Sequence, residues 1–311
     1  MSLTIHPPPA VGVHGWLFGR ARFLQSRGVP AERAAPILEA AVRSFTFRPG
    51  RSVHGNEIRD AVESAFRRPL GGAPRRSQVN APLQPPADFD PDAGWPAEMS
   101  YPAKHFDRKA AATVLVEAGN FGTVDLWERS PVRPEASRAP RFALELLFAP
   151  GDLLCVGRSS ADFEARPLCE WGDADLALAQ LIVPNPLRKT AGITKRGTTS
   201  AHCRDAVGAR RYLVVECDSG LSHDQQAAIL EHLRTKTAAR LVCAVLSGGK
   251  SLHGWFEVAG VPAERLRRWF AYAVRLGADP RMWLPEQFAR LPDGRRENGA
   301  AQNVIFLEGR S

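Results

Sequence analysis

The stretch Tyr212-Leu213-Val214-Val215-Glu216-Cys217-Asp218 has the character of a buried β-strand that ends in two acidic residues. Side chains alternate along a strand, so Glu216 and Asp218 are expected to share one face at its carboxyl end. Two carboxylates held this close repel each other unless a cation lies between them. Oxygen ligands suit Mg²⁺ or Mn²⁺ better than zinc. Alone the pattern is weak, because acid-x-acid at a strand end is also frequent in solvated loops.

A second stretch, Ser247-Gly248-Gly249-Lys250-Ser251-Leu252-His253, predicts a hairpin turn between two strands. Ser251 and His253 are two positions apart at the start of the second strand and are expected on one face. Paired glycines let a phosphate approach the backbone closely, and Lys250 and His253 are donors for it. Gly-Lys-Ser is not a Walker A loop here, since that motif needs a glycine at Ala244 and a helix after the lysine. A packed or surface histidine is the plain alternative for His253.

Two further candidates, Asp279 and Arg290, lie downstream. Asp279 follows a predicted helix that extends from about residue 263 to 276 and stops at Gly277, a residue type favoured just beyond helix ends. Arg290 ends an extended stretch. Each has an ordinary alternative, because Asp279 can cap a turn and Arg290 can pair with a surface acid.

The apolar pattern beyond residue 100 predicts a mixed α/β or α+β domain over residues 100–311. A capping box at Ser222 and Gln225 predicts a helix that turns Ala228, Ile229 and Leu233 inward. The expected strands are 142–148, 153–156, 181–183, 211–217, 241–247, 252–258 and 304–307.

The first quarter of the chain is different in kind. Residues 1–68 predict a small helical bundle, with helices near 15–26, 30–45 and 56–66. Residues 69–99 are rich in proline, glycine and arginine, which indicates a linker. The whole chain is therefore expected to be α+β, with a helical domain ahead of a mixed domain.

The positive charge of the chain is concentrated in this first quarter. Residues 1–80 hold 12 arginines and five acids, a net charge of +7, against +1 for the remaining 231 residues. A basic module joined to a near-neutral one is typical of a nucleic-acid-binding appendage, and we expect residues 1–68 to bind nucleic acid. The alternative is a solvated, arginine-rich surface.

Several protein classes are excluded or disfavoured. No apolar run approaches the ~20 residues that cross a bilayer, and the first ten residues do not have the pattern of a secretory signal. The five cysteines are odd in number and irregularly spaced, which argues against a disulfide framework and a zinc knuckle. A reducing, cytoplasmic location and no membrane partner are expected.

In their order and spacing, these motifs resemble the archaeo-eukaryotic primase superfamily. That family carries a strand ending in acid-x-acid, then Ser-x-His on a strand, then a further acid, often followed by an Arg-x-Pro-Gly-like segment. The string from Ser247 to Phe256 is especially similar to primases of phages and mobile elements. The corresponding positions in this sequence are Glu216-x-Asp218, Ser251-x-His253, Asp279 and Arg290-Leu291-Pro292.

The resemblance implies a DNA primase-polymerase with an RRM-like sheet core, in which a 3′-hydroxyl attacks the α-phosphate of an incoming nucleotide. It implies a site for Mg²⁺ or Mn²⁺ made by Glu216, Asp218 and Asp279. The residues that it implies for the triphosphate are Ser251, His253, Lys250, Gly249 and Arg290. Two departures stand out: the first acid is a glutamate, and the Arg-x-Pro-Gly turn reads Pro292-Asp293-Gly294.

The partners implied are a single-stranded DNA template, nucleoside triphosphates and a separate helicase, because the chain has no Walker A motif. A basic loop with Arg188, Lys189, Lys195 and Arg196 is a candidate for template phosphates, with a solvated loop as the alternative. Residues 12–67 resemble the primase C-terminal domain, which more often follows the catalytic core. Two other classes stay open: a replication initiator or helicase loader without chemistry, and a metal-dependent nuclease.

Overall fold

A computed structural model describes the chain in two compact units, Met1–Ser77 and Gln78–Ser311. The residues that it describes are 17, 18, 20, 21, 24, 25, 29–43, 53–67, 83, 85, 86, 89, 95, 99–132, 139–217 and 219–309. Asp218, the second acid of the first motif, lies outside the described residues.

The described residues of the first unit are mostly helical. The unit contains helix α1 (Ala31–Arg43) and helix α2 (Gly55–Arg67), and residues 17, 18, 20, 21, 24 and 25 are also helical. Pro36 lies inside α1. Apolar side chains three or four positions apart bury one face of each helix, which closes a small core. The buried core residues are Leu17, Ala21, Leu24, Ala34, Leu38, Ile58, Ala61, Val62 and Ala65.

The charge of the first unit is not carried by its described helices. These residues hold five arginines and five acids, so they are balanced, and the other seven arginines lie outside the described residues. Arg67 forms an ion pair with Glu63, and Arg59 Nη2 donates to Asn56 Oδ1 at 2.6 Å. The excess of +7 therefore belongs to the segments 22–28, 44–52 and 68–76 rather than to the described helix surfaces.

The second unit contains both helices and strands, which confirms the expected α+β class. Its helices are α3 (Arg108–Ala118), α4 (Thr123–Glu128), α5 (Pro140–Leu147), α6 (Asp173–Ala177), α7 (His223–Lys236) and α8 (Ala263–Arg275). Its strands are β1 (Leu153–Gly157), β2 (Phe163–Pro167), β3 (Leu181–Ile182), β4 (Gly192–Ile193), β5 (Thr199–Ser200), β6 (Tyr212–Glu216), β7 (Arg240–Leu246), β8 (Leu252–Glu257), β9 (Ala289–Arg290) and β10 (Val304–Leu307). Short 3₁₀ helices lie at Leu168–Glu170 and Pro280–Trp283.

The central sheet has four antiparallel strands in the order β10-β7-β8-β6. Its strands are apolar runs because helices and loops cover them, and Trp255, Phe256 and Tyr212 are almost fully buried. Helix α7 connects β6 to β7, and α8 follows β8. As predicted, α7 begins at a capping box: Ser222 Oγ accepts from Gln225 N at 3.2 Å, and Gln225 Oε1 accepts from Ser222 N at 2.9 Å.

A second sheet has the order β2-β1-β3-β9, and β4 pairs with β5 in a separate hairpin. The prediction of a strand over 142–148 is wrong, because these residues form most of α5. Pro140 occupies the first turn of that helix, where proline is favoured, and Ala143, Leu144 and Leu147 are buried at helical spacing. Strands β2, β4, β5 and β9 were not predicted from the sequence. Three of these are only two residues long, too short to show a period.

Part of the stretch expected to be a linker packs on the second unit. Leu83 and Trp95 are buried in its main core, and Phe89 packs against that core. The Trp95 ring lies edge-on to Trp283 at 4.7 Å, and the Arg267 guanidinium covers it at 4.8 Å. These aromatic groups find apolar partners on and beside α8, which composition alone did not indicate. Within the described part of the chain, no helix has the length and apolar character to cross a membrane.

Candidate active site

Three side chains of the sequence motifs meet at the end of the central sheet. Strand register places Glu216 directly opposite His253 on the neighbouring strand. Ser251 Oγ donates to Glu216 Oε1 at 3.0 Å, and His253 Nε2 lies 3.3 Å from the same oxygen. Ser251 Oγ and His253 Nε2 are 3.3 Å apart. The acid of the first motif and the Ser-x-His of the second therefore form one hydrogen-bonded cluster.

This cluster is largely removed from water. His253 is 2% exposed, Ser251 is 8% exposed, and the Glu216 side chain keeps 24% of its surface exposed. Burial raises the pKa of the Glu216 carboxyl, but the opposing effects of His253, Ser251 and Arg290 are larger and bring that pKa to about 2. Glu216 is therefore an ionised carboxylate near neutral pH.

Not every polar atom of the cluster has a partner. The contacts of Glu216 fall on Oε1, so its Oε2 accepts no hydrogen bond from a described residue. His253 Nδ1 is buried and also has no hydrogen-bond partner within the described residues. A buried polar atom without a partner costs free energy, which marks this cluster as a place for a ligand or ordered water.

Cys217 belongs to the opposite face of the strand. Its side chain is buried in the core, and burial, with a contribution from the Glu216 charge, raises the pKa of the thiol to about 12. The thiol therefore stays protonated and is a poor metal ligand. This burial agrees with the alternation of side chains along the strand, which turns Glu216 to the other face.

Asp279 approaches Glu216 through its backbone. Its N–H donates to the Glu216 carbonyl oxygen at 2.7 Å, and Ala278 pairs with Cys217 in an isolated bridge. Asp279 Oδ1 accepts from Arg281 N at 2.9 Å and caps the 3₁₀ helix Pro280–Trp283. Asp279 is thus adjacent to Glu216 in the fold. Its side chain also caps a turn, which was the ordinary alternative for this residue.

The donors present fit a hard cation in kind, since Glu216 and Asp279 both supply carboxylate oxygens. Within the described residues there is no group of three or more histidine, cysteine, aspartate and glutamate side chains placed to hold a metal ion. Asp218, the remaining acid of the implied set, lies outside those residues.

The predicted hairpin turn carries the basic and glycine residues. Ser247 N donates to Ser251 O at 2.9 Å, which closes the turn between β7 and β8. Lys250 and Gly249 are exposed at its tip. The buried Gln226 of α7 binds the backbone on both sides of Ser251: its Nε2 donates to Lys250 O at 2.8 Å and its Oε1 accepts from Leu252 N at 2.6 Å. No motif in the sequence had singled out Gln226.

Arg290 lies at the end of β9 and is half-buried. Its Nη1 donates to Gln180 Oε1 at 2.8 Å, so it is held by a neutral amide instead of the surface acid considered as the alternative. Burial and the charge of Arg296 lower the pKa of Arg290, while Glu216 opposes that shift. Gln180 and Arg296 were both missed in the sequence, because their role depends on contacts between distant segments.

The four basic residues proposed for template phosphates lie in two settings. Lys189 Nζ is 2.7 Å from Asp205 Oδ2, and Arg188 Nη2 is 2.9 Å from Asp205 Oδ1. Lys195 and Arg196 are exposed at the tip of the β4–β5 hairpin and form no ion pair with a described residue. Arg188 and Lys189 therefore share one carboxylate, whereas Lys195 and Arg196 have no acidic partner among the described residues and are available to an anionic ligand.

No protein-family model, curated protein or solved structure matches the chain.

Proposed function

We propose that this chain is a DNA primase-polymerase that transfers nucleotides on a single-stranded template. The observation that carries the proposal is the contact of Ser251 Oγ and His253 Nε2 with Glu216 Oε1. Ser-x-His and acid-x-acid were predicted from separate strands, and their meeting at one buried carboxylate supports a shared chemical role.

The topology of the second unit supports an RRM-like sheet core. Along the chain the central sheet follows the order β6-α7-β7-β8-α8-β10, with the short β9 in another sheet. Strand β8 separates β6 from β7, and β7 separates β8 from β10, so both connections are split βαβ units. One feature departs from the common RRM order: β10 lies beside β7, which leaves β6 at the sheet edge.

In this proposal, the acidic residues Glu216, Asp218 and Asp279 would hold Mg²⁺ or Mn²⁺. The chemistry supplied by the bound ion would be a lowered pKa of the attacking hydroxyl and an offset of charge on the attacking and leaving oxygens. Ser251 and His253 fix the Glu216 carboxylate in one orientation, which is a positioning role. Together with Gly249, they also form the wall against which the triphosphate lies.

The cations around the cluster are suited to an anionic substrate. Arg290 acts electrostatically on Glu216, and Lys250 precedes Ser251 at the exposed turn; neither cation forms an ion pair within the described residues. Positive groups that are fixed before the reaction stabilise charge that develops on phosphate oxygens at no cost of reorganisation. Their role in this proposal is to bind and orient the triphosphate.

The template is proposed to lie along exposed basic surface. The exposed Lys195 and Arg196 on the β4–β5 hairpin would contact its phosphates, and the arginine-rich segments of residues 1–77 would add affinity. A separate helicase would supply single-stranded DNA, because template bases must be unpaired to be copied.

The test is a primer synthesis and extension assay with purified protein, single-stranded DNA, labelled nucleotides and Mg²⁺ or Mn²⁺. We expect short template-dependent products from the native chain. Glu216→Gln combined with Asp218→Asn should reduce their rate by at least ~10²-fold, because groups that stabilise transition-state charge contribute that much or more. Glu264→Gln, an exposed acid in the first turn of α8, is the matched control and should be fully active.

Other outcomes point to the other classes. Degradation of the labelled DNA would indicate a nuclease that uses the same carboxylates. Binding of DNA that does not depend on divalent ions, with no product, would indicate an initiator or helicase loader. Synthesis that is unchanged in the double variant would show that the site is elsewhere.

A further inference from the structure

Arg296 is an unassigned cation in the loop between β9 and β10. The loop holds its backbone firmly: Arg296 N donates to Ala300 O at 2.9 Å, and Gly299 N donates to Arg296 O at 2.8 Å. The side chain is half-buried and forms no ion pair or side-chain hydrogen bond with a described residue. A guanidinium that has no anionic partner and is still open to solvent can bind an anionic ligand.

The Arg296 side chain lies against the turn that joins β7 and β8. A Cβ atom added at Gly249 would be 2.6 Å from Arg296 Nη1, and one added at Gly248 would be 3.2 Å from Arg296 Cδ. The guanidinium can reach this position only because residue 249 has no side chain. It is thereby placed at the same turn as Lys250 and Ser251.

Arg290 is a second cation within electrostatic reach of Arg296, and their mutual repulsion contributes to the lowered pKa of Arg290. Glu216 acts electrostatically on Arg290 and is bonded by Ser251 and His253, and the exposed Glu297 next to Arg296 accepts from Gln180 Nε2 on its Oε1 at 3.2 Å. Neither is paired with Arg296. The Arg296 guanidinium therefore has no anionic partner among the described residues, which leaves it available to an anionic ligand.

We propose that Arg296 binds the triphosphate of a nucleoside triphosphate, with its guanidinium and the Gly248-Gly249 turn forming one wall of the phosphate site. This inference rests on the proposed function and adds a residue to it. A planar guanidinium can donate two parallel hydrogen bonds to phosphate oxygens, which a lysine cannot do. The paired glycines let this guanidinium lie directly against the turn, beside Lys250.

Direct binding measurements test this inference without reference to catalysis. We expect inorganic tripolyphosphate and a nucleoside triphosphate to bind the full chain in calorimetric titrations, and the nucleoside without phosphates to bind far more weakly. Arg296→Gln should weaken tripolyphosphate binding roughly 10- to 100-fold, the range expected for hydrogen bonds to a charged group. Arg295→Gln is the matched control, because that neighbouring side chain is exposed and donates to Gly299 O at 2.7 Å.

The variant Gly249→Ala tests the role of Arg296 independently. The added Cβ meets only the far end of a flexible side chain, so the variant should fold with nearly native stability while it displaces the Arg296 guanidinium. It should weaken tripolyphosphate binding as Arg296→Gln does. Placed in the Arg296→Gln background, it should have little further effect, because both changes remove one contact.

The outcomes separate this inference from the proposed function. Tripolyphosphate binding that depends on Arg296, in a protein that makes no DNA, would support the phosphate site and overturn the polymerase. Normal synthesis with unchanged tripolyphosphate affinity in Arg296→Gln would overturn the inference alone. Absence of tripolyphosphate binding by the native chain would also overturn it. A lowered unfolding midpoint with unchanged affinity would show that Arg296 only covers the turn.

Discussion

The second unit contains two basic hairpins that resemble each other in sequence and differ in surroundings. The β4–β5 hairpin has Lys195, Arg196 and Gly197 at its turn, and the β7–β8 hairpin has Gly248, Gly249 and Lys250. Each turn is flanked by a pair of hydroxyl side chains, Thr194 with Thr198 and Ser247 with Ser251, whose oxygens lie within 3.2 Å of each other. The former has strands of two residues and an exposed tip, whereas the latter has strands of seven and six residues that are almost entirely buried.

The difference shows that a basic residue type does not by itself define a role. Charges at an exposed tip are screened over about 10 Å at ordinary salt, so Lys195 and Arg196 act as diffuse attraction for a polyanion. At the β7–β8 turn, Ser251 and His253 are buried beside Glu216, and interactions there are less screened and depend on geometry. We therefore expect changes to buried side chains of the β7–β8 hairpin to alter stability and chemistry, and loss of the charges at the exposed β4–β5 tip to alter only binding.

Among the changes in the two hairpins, the strongest effect is expected for His253→Ala. It removes a polar partner of a carboxylate that is three-quarters buried, so the unfolding free energy should fall by about 2 kcal/mol and extension activity by about 10²-fold or more. Urea unfolding and steady-state extension assays measure the two effects. His253→Gln is the control, because its amide can donate from a position near that of Nε2.

Rescue of stability by His253→Gln, with activity still low, would assign the imidazole to the reaction or the substrate. Rescue of both properties would show that the side chain only positions Glu216. Native activity in His253→Ala would contradict the assignment of this hairpin to the site.

A smaller effect is expected for glycine substitutions at the two turns. Gly248 and Gly197 both have a positive φ, 70° and 78°, so alanine at either position costs about 1 kcal/mol of backbone strain. A Cβ at Gly248 would also be 2.9 Å from Ala301 O, whereas nothing lies within 4 Å of one at Gly197. Gly248→Ala should therefore lower the unfolding free energy by clearly more than Gly197→Ala in denaturant titrations. Equal losses would mean that the β7–β8 turn is not packed as described.

The weakest effect is expected for the exposed tip. Lys195→Gln with Arg196→Gln should leave stability unchanged and reduce the slope of log K against log salt for single-stranded DNA by roughly 1.4, about 0.7 for each phosphate contact. The comparison variant is Arg188→Gln with Lys189→Gln, whose cations are held by Asp205. It should change that slope less. An identical slope in the tip variant and the native chain would mean that the tip is a solvated surface.

Much of the architecture followed from local sequence. The capping box at Ser222, the glycine after α8 and the apolar runs of β6, β7 and β8 were all recognised, because caps, turns and strand periodicity depend on neighbouring residues. The candidates Glu216, Ser251 and His253 followed from motif order and a family resemblance. The strand wrongly expected at 142–148 shows the limit of an apolar run without a clear period.

The contacts of the site arise from long-range pairing that no local pattern encodes. The register between β6 and β8 sets Glu216 opposite His253, and the return of the chain after β9 brings Arg296 onto Gly249. Trp95 is buried in the core of the second unit, although the composition of the surrounding stretch indicated a linker. Sequence alone determined which residue types were present and their local conformation. Which of them meet was decided by burial of apolar surface between distant segments, because that term depends on the whole chain.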